Sequence, residues 1–292
     1  MKIALFADIH GNDIAFAAVE AHAKKMGAEQ FVIAGDLLTD NPMTREVIER
    51  AKALTQHIVF GNREQYLISR HGRKQPHWEN CVQFAPLRRV YDQLRDQDIQ
   101  FIQSLPESLE IPLDGSNKLY VVHQAPDHVY KGDAGGAGGC HLDAISRYFQ
   151  KLPVQYSVYC CGHTHTAGFI KRGGQLFINA GSVGQKFYGG FQAAYVLLEW
   201  DQGLVSVDIH DINYDQQAYL MMLEASGLLD NLSTKHWTQL MYKSIRDERN
   251  YTIGFFATAE AIKRRKGLAE PNVSDEVWYE TVRVFIDKGI LS

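Results

Sequence analysis

The stretch Met1 to Asn12, MKIALFADIHGN, decides the fold: an apolar run of strand length breaks into Asp8, His10 and the turn pair Gly11-Asn12. Ile3 to Ala7 alternates too little for a half-exposed strand and predicts one buried on both faces of a sheet. Asp8 then stands at the carboxyl end of that strand, where open α/β sheets form the crevice that takes ligands. A carboxylate and an imidazole one residue apart can both point into such a crevice. By itself an Asp-x-His triplet is more often a capping acid beside a surface histidine, so its meaning depends on what the rest of the chain brings to the same edge.

The pattern repeats along the chain. Asn12 to Met26 carries a helical apolar stripe with Asn12 as N-cap, and Gly27 ends it. Gln30 to Ala34 is a second buried strand running into Gly35-Asp36. Asn41-Pro42 reads as an N-cap followed by proline at the first helical position, opening a helix to about Thr55. His57 to Phe60 is a third strand, ending in Gly61-Asn62-Arg63-Glu64. A βαβαβ series thus delivers polar residues three times to one edge.

Gln65 to Ser104 reads as an inserted helical segment containing His71, Arg73, Lys74, His77, Arg88 and Arg89. Leu109 to Leu113 and Lys118 to His123 are strands joined by the turn at 114–117, and the second ends in His123. The glycine-rich run Lys131 to Gly139 lacks the Gly-Lys-Ser/Thr ending of a phosphate-cradling loop and reads as a lid over the site rather than a linker. Gln155 to Cys161 is another buried strand, ending in Gly162-His163-Thr164-His165. Phe169, Leu176 to Ile178, Ala193 to Trp200 and Leu204 to His210 continue as strands. Beyond Asn213 β character stops, and Gln216 to Ser226, Lys235 to Arg249, Phe256 to Lys266 and Ser274 to Lys288 read as helices. The expected organisation is one α/β domain over 1–212, with a helical insertion at about 65–104, and a helical C-terminal extension over 213–292.

A chain of 292 residues can bury one large core with an appendage. Its net charge of -4 gives no general attraction for nucleic acid or an anionic membrane, so phosphate chemistry must use local positive charge. The cysteines (Cys81, Cys140, Cys160, Cys161) lack secreted-framework spacing and read as reduced core thiols. Neither a basic-then-apolar leader nor a bilayer-length apolar run is present, and the expectation is a cytoplasmic location.

Together the strand ends present Asp8, His10, Asp36, Asn62, His123, His163 and His165, which are oxygen and nitrogen donors without a thiolate. That set is too large for one tetrahedral zinc and suits two octahedral-leaning divalent ions sharing a bridging carboxylate. The absence of sulfur favours manganese or iron, with zinc, nickel or cobalt as alternatives. A two-metal hydrolytic centre is the chemistry this donor set predicts.

The ordered set Asp-x-His, Gly-Asp, Gly-Asn-x-Glu, a lone His and Gly-His-x-His resembles the calcineurin-like metallophosphoesterase superfamily, over Met1 to about Ile212. DIHGN at the start and NAGSVGQ at Asn179 to Gln185 resemble its small prokaryotic phosphodiesterase-like and diadenosine tetraphosphatase-like branch. The resemblance implies a four-layered α/β/β/α sandwich and hydrolysis of a phosphate ester or anhydride. It further implies that Asp8, His10, Asp36 and His165 hold one metal and that Asp36, Asn62, His123 and His163 hold the other, with Asp36 as bridge. Two cations about 3.5–4 Å apart would lower the pKa of a bridging water, so that hydroxide attacks phosphorus in line without a protein nucleophile.

One residue departs from the pattern. Many members carry His where this chain has Arg63, and an arginine can stabilise an anion but cannot donate the leaving-group proton. Arg63 and Asp36 are therefore the candidate catalytic residues, and the expected leaving group is one that departs unprotonated, such as a nucleoside phosphate from a dinucleoside polyphosphate. His71 or His77 could replace the missing acid, and Phe187 to Phe191 could stack on a base. The expected partner is a small phosphorylated compound of dinucleotide type; a membrane and nucleic acid are argued against. Tyr219, Trp237, Tyr242, Trp278 and Phe285 fall at packing spacing and are expected to cover the sandwich, with a homo-oligomer contact as a second use. The alternatives are a non-catalytic metal-binding scaffold of the same fold, or a nuclease.

Overall fold

The structure, a computed structural model, describes residues 1–71, 79, 81–129, 141–186, 190–269 and 272–292. Two five-stranded sheets lie face to face. The first contains β1 (Lys2–Phe6), β2 (Gln30–Ala34), β3 (Ile58–Val59), β9 (Ala193–Asp201) and β10 (Leu204–Ile212), in the order β10-β9-β1-β2-β3. The second contains β4 (Ser108–Asp114), β5 (Asn117–Val122), β6 (Val158–Cys161), β7 (Gly168–Arg172) and β8 (Gln175–Asn179), in the order β4-β5-β6-β8-β7. The central strands are parallel: β1 with β2, β2 with β3, β5 with β6 and β6 with β8. Their carboxyl ends therefore meet on one edge, with antiparallel strands added by β9 and β10 on one side of the first sheet and by β4 and β7 on the two sides of the second.

The strand pleat sorts side chains into layers. From β1, Ile3, Leu5 and Ala7 point toward the second sheet and pack with Leu119, Val121, Val158 and Ile178. Ala4 and Phe6 point the other way, onto α1 (Asp13–Lys25) and α2 (Thr44–Leu54), where Phe6 meets Phe16 edge to face at 5.9 Å. On the outer face of the second sheet, Leu142, Ile145 and Phe149 of α6 (Leu142–Phe149) cover Tyr159, Cys161 and Phe177. The result is the expected α/β/β/α sandwich, and β1 is buried on both faces.

Between β3 and β4 run α3 (Asn62–Arg70), α4 (Ala85–Gln93) and α5 (Asp96–Ser104), the helical insertion. After β10 come α7 (Gln216–Ala225), α8 (Lys235–Arg246), α9 (Thr252–Lys266) and α10 (Asp275–Asp287). Trp237, Leu240, Phe255, Val277, Trp278 and Phe285 form a core of their own that also takes in Val82 of the insertion. Two backbone contacts reinforce the join: Val82 N–H donates to Asp275 Oδ1 at 2.7 Å, and Val273 N–H to Gln83 Oε1 at 2.6 Å.

Several boundaries differ from the sequence expectation. Helix α2 starts at Thr44, so Asn41-Pro42 is not its N-terminus. Asn41 is spent instead on tertiary bonds, donating to His10 O at 2.8 Å and accepting from Tyr219 Oη at 2.5 Å. β3 shrinks to Ile58–Val59, and Asn62 begins α3 directly, leaving no strand-end loop for it to occupy. β6 begins at Val158, and α9 starts at Thr252, one turn before Phe256. Cys160 and Cys161 are buried thiols in β6. The glycine-rich run at 131–139, Cys140, Arg73, Lys74, His77 and the aromatic stretch at 187–189 lie outside the described residues. Among the described residues no helix is long and apolar enough to cross a membrane.

Candidate metal centre

Five of the seven donor residues read from the sequence hold their backbones in the left-handed region: Asp8 (φ 54°), His10 (49°), Asp36 (52°), His163 (69°) and His165 (57°). For a non-glycine residue each such conformation costs of order 1–3 kcal/mol, and it persists only where the surroundings over-determine it. They do so here by locking the loops together. Asp8 N–H donates to Gly35 O at 3.0 Å, His10 N–H to Asp36 O at 3.0 Å and Gly11 N–H to Leu37 O at 2.8 Å, setting the two acid-bearing loops side by side.

The two central carboxylates are built alike. Asp8 Oδ2 accepts from His163 N–H at 2.8 Å across Gly162, where a Cβ would come within 2.6 Å of that oxygen. Asp36 Oδ1 accepts from Arg63 N–H at 2.8 Å beside Gly61, where a Cβ would come within 2.1 Å. One oxygen of each acid is thus fixed by an amide, which aims the other at imidazoles. Asp8 Oδ1 lies 3.2 Å from His165 Nε2 and 3.7 Å from His10 Nε2, and Asp36 Oδ2 lies 3.4 Å from His123 Nε2 and 3.8 Å from His10 Nε2. Asn62 Oδ1 is 3.1 Å from His123 Nε2 and 3.0 Å from His163 Nδ1. All seven residues are therefore linked in one cluster. Two triads within it, Asp8-His10-His165 and Asp8-Asp36-His123, each keep their donor atoms within 4.8 Å of one another.

This donor set fits divalent cations. Asp8 Oδ1 is fully buried and, among the described residues, makes no hydrogen bond although His165 Nε2 lies at 3.2 Å, and a cation would satisfy this acceptor-only oxygen. His10 Nε2 and His165 Nε2 face each other at 3.1 Å, an arrangement that suits two nitrogen lone pairs converging on one ion. The outer nitrogens are held from behind: His123 Nδ1 by Ala34 O at 2.7 Å, His165 Nδ1 by Gln185 O, and His10 Nδ1 by Asp40 Oδ2 at 3.2 Å. Backing of this kind fixes tautomer and ring orientation in metal-ligating histidines.

Charge is finely divided. Burial alone would raise Asp36, but the imidazoles of His123 and His10 outweigh it and bring the carboxyl down to about 2. Burial alone would lower His123, yet the carboxylates of Asp36 and Asp8 push it up to about 10. His163 goes the other way, to about 4, because burial and repulsion by His123 both disfavour its cation. Glu64 is pushed up to about 7 by burial and by Asp36. Its carboxyl accepts amide hydrogens from Asp36 at 3.0 Å, Leu38 at 3.0 Å and Gly61 at 2.9 Å, tying the second and third loops together.

Arg63, the departure from the family pattern, does not pair with Glu64. Its Nη2 lies 3.7 Å from Asp40 Oδ2, and Asp40 and Asp36 outweigh burial to keep the guanidinium charged. His71 engages Tyr91 Oη at 3.0 Å at the end of α3. Asp40 was absent from the sequence reading, although an acid four residues after Asp36 was a visible signal. It accepts from Trp237 Nε1 at 3.1 Å, touches His10 and Arg63, and is held well below the usual carboxylate range by Arg63 and His10 against its burial. Trp237 and Tyr219, which buttress the turn at 40–41 from the C-terminal helices, carried no local signal. The Asn179–Gln185 stretch also supports the site: Ser182 Oγ donates to Asp8 O at 2.9 Å, and Gly184 has no room for a Cβ, which would meet Ile9 O at 1.8 Å.

Comparison with known proteins points the same way. Residues 1–203 match the sequence model of the calcineurin-like phosphoesterase superfamily domain. An uncharacterized protein of Methanocaldococcus jannaschii is 23% identical over 226 residues, 74% of this chain and 90% of that protein. Among solved structures, a metallophosphoesterase from Sphaerobacter thermophilus shares the fold with a TM-score of 0.60 at 22% identity, covering 80% of this chain and 98% of the other. A hypothetical protein from Pyrococcus horikoshii does so with a TM-score of 0.59 at 20% identity, covering 80% and 96%.

Proposed function

The chain belongs to the calcineurin-like phosphoesterase superfamily, and from that premise we propose that it hydrolyses a phosphodiester or phosphoanhydride bond of a small nucleotide-type substrate at a centre of two divalent ions. Asp8, His10, Asp36 and His165 would hold one ion, and Asp36, Asn62, His123 and His163 the other. When bound, such ions draw charge from the phosphoryl oxygens and generate a nucleophile from water near neutral pH. The carrying observation is the position of Asp36 Oδ2, with His123 Nε2 at 3.4 Å on one side and His10 Nε2 at 3.8 Å on the other, which supports a shared carboxylate.

The chain's own residues set the rest. Asp8 and Asp36 each have one oxygen committed to an amide, so neither can rotate away from the imidazoles it faces. Arg63 lies beside Asn62 at the edge of the cluster, where a permanent cation stabilises negative charge on a phosphoryl or leaving oxygen without giving up a proton. That role favours a leaving group of low basicity, as in an anhydride. Asp40 restrains both Arg63 and His10 and so couples the anion clamp to the first metal position.

The test is to assay the manganese-loaded protein on diadenosine tetraphosphate and on bis-p-nitrophenyl phosphate, with Arg63→His alongside. Preference for the anhydride that shifts toward the ester in Arg63→His supports this function. Turnover of neither compound overturns it and favours the non-catalytic scaffold; turnover of single-stranded DNA above both favours the nuclease.

A further inference from the structure

A cavity of about 590 Å3 adjoins the metal centre. Asn62 and Arg63 form its inner end. Its outer walls come from parts of the chain that lie beyond the donor loops: Tyr66 on α3, Phe84 from the insertion, and Trp237, Phe256 and Trp278 from α8, α9 and α10. The volume falls in the range of small-molecule sites, about 300–1,000 Å3. The three last residues follow the span matched by the family domain, so the C-terminal helices add a wall that the shared domain does not contain.

We infer that this cavity is a nucleoside-binding subsite, in which the base of the substrate lies among Trp237, Phe256 and Trp278 while its phosphate reaches Arg63 and the metal centre. The inference rests on the phosphoesterase reading for the placement of the phosphate, and on the cavity itself for the base. Flat aromatic walls gain most from a flat aromatic guest, and base–aromatic stacking is tolerant of which base is present. Trp237 and Phe256 both line the cavity, with ring centroids 5.4 Å apart and planes tilted by 57°, and Phe256 is still partly exposed. Polar groups distinguish a base from a plain hydrocarbon ring. Among the described residues neither the buried Trp278 indole N–H nor Arg63 Nε has a hydrogen-bond partner. A heterocycle whose ring nitrogens accept hydrogen bonds can satisfy donors of this kind, whereas a phenyl group cannot. Gln65 also lines the cavity and offers an amide to a sugar.

Trp237 also joins the subsite to the metal centre. Its ring lines the cavity while its Nε1 donates to Asp40, which stands against His10 and Arg63. A base seated on Trp237 therefore sits one residue from the groups that position the phosphate.

The experiment is a tryptophan-fluorescence titration of the manganese-loaded full chain with adenosine 5′-monophosphate, phenyl phosphate and inorganic phosphate, in wild type, Phe256→Ala and Trp278→Phe. The expected result is adenosine monophosphate binding at least about tenfold tighter than either other compound, with that preference falling about tenfold in Phe256→Ala and several-fold in Trp278→Phe. Equal affinity for all three, or a preference unchanged in both variants, overturns the inference. Phenyl phosphate binding as tightly as the nucleotide assigns the cavity to simple aryl groups and also overturns it. Trp278→Phe keeps the ring and so decides the matter should Phe256→Ala not fold. Turnover of bis-p-nitrophenyl phosphate without a nucleotide preference sinks the subsite and leaves the phosphoesterase standing; nucleotide preference without turnover of any phosphate compound does the reverse.

Discussion

The two ends of the chain contribute to the site by opposite means. Up to β10 the functional side chains sit on strained backbone at strand ends, with Asp8, His10, Asp36, His163 and His165 all left-handed and the turns backed by Gly61, Gly162 and Gly184, none of which has room for a Cβ. Beyond β10 the contribution is helical and unstrained: Tyr219 and Trp237 reach from α7 and α8 to the 40–41 turn, and Trp278 and Phe256 wall a cavity. On the proposed function the strand ends fix where phosphorus is attacked, a job that tolerates little displacement. The helices would shape what is attached to it, while Trp237 and Tyr219 tie them to the donor loops through Asp40 and Asn41.

Substitutions can break or sharpen that contrast. Asp36→Ala removes the carboxylate proposed to be shared by both metal positions, and kcat/KM on any phosphate substrate should fall by about 10³ or more in steady-state assays, with bound metal reduced in parallel. Asp40→Asn leaves every proposed ligand in place but weakens the hold on His10, and a competition titration with a metal-sensitive dye should show manganese affinity reduced about 10- to 100-fold. If Asp40→Asn bound metal like wild type, the helices would have no hold on the centre through this acid.

Gly184→Ala tests the strained half without touching a donor. Its Cβ would meet the Ile9 carbonyl at 1.8 Å, so thermal unfolding should show a loss of about 2–4 kcal/mol. Trp237→Phe keeps the ring but leaves Asp40 Oδ1 without its indole donor, at a cost of about 1–3 kcal/mol by denaturant titration.

The smallest effect belongs to a helix remote from the site. Asp98 on α5 accepts from the Arg95 side chain and from Arg95 N–H at 3.0 Å, and those bonds, against burial, hold its carboxyl below the ordinary 3.8. A depressed pKa stabilises the fold above 3.8, and the contribution is lost as pH falls through the lower folded value. Asp98→Asn should therefore be about 1 kcal/mol less stable than wild type at pH 7, and the gap should close below pH 3.8. A gap that stayed constant with pH would mean that the carboxylate charge contributes nothing there.

The legible part of the molecule was the part whose signals are local. Apolar runs ending in Asp, His or Gly marked the strands and their edge, because buried parallel strands need continuous apolar residues and the site needs polar ones where they stop. The candidate donors Asp8, His10, Asp36, His123, His163 and His165, which the structure brings together, could be picked out that way. Asn62 could be picked as a donor, though its place on the first turn of α3 could not, since a two-residue β3 leaves too little pattern to fix a boundary. Asn41 misled for a related reason: Asn-Pro has the chemistry of a helix start, and only the tertiary bonds to His10 and Tyr219 reveal its use. Trp237 and Trp278 looked like ordinary core residues by spacing, and both are indeed buried. The reach of Trp237 to Asp40, and the role proposed for both rings in the cavity, depend on side chains nearly two hundred residues away, and no window of sequence contains that.

The central claim is a centre of two ions sharing Asp36, and the most direct measurement is the manganese content of the purified, metal-loaded chain by elemental mass spectrometry. Two ions per chain in wild type are predicted. One ion per chain at saturation would contradict a bridged centre and return the three unshared donors proposed for one of the positions to a structural role.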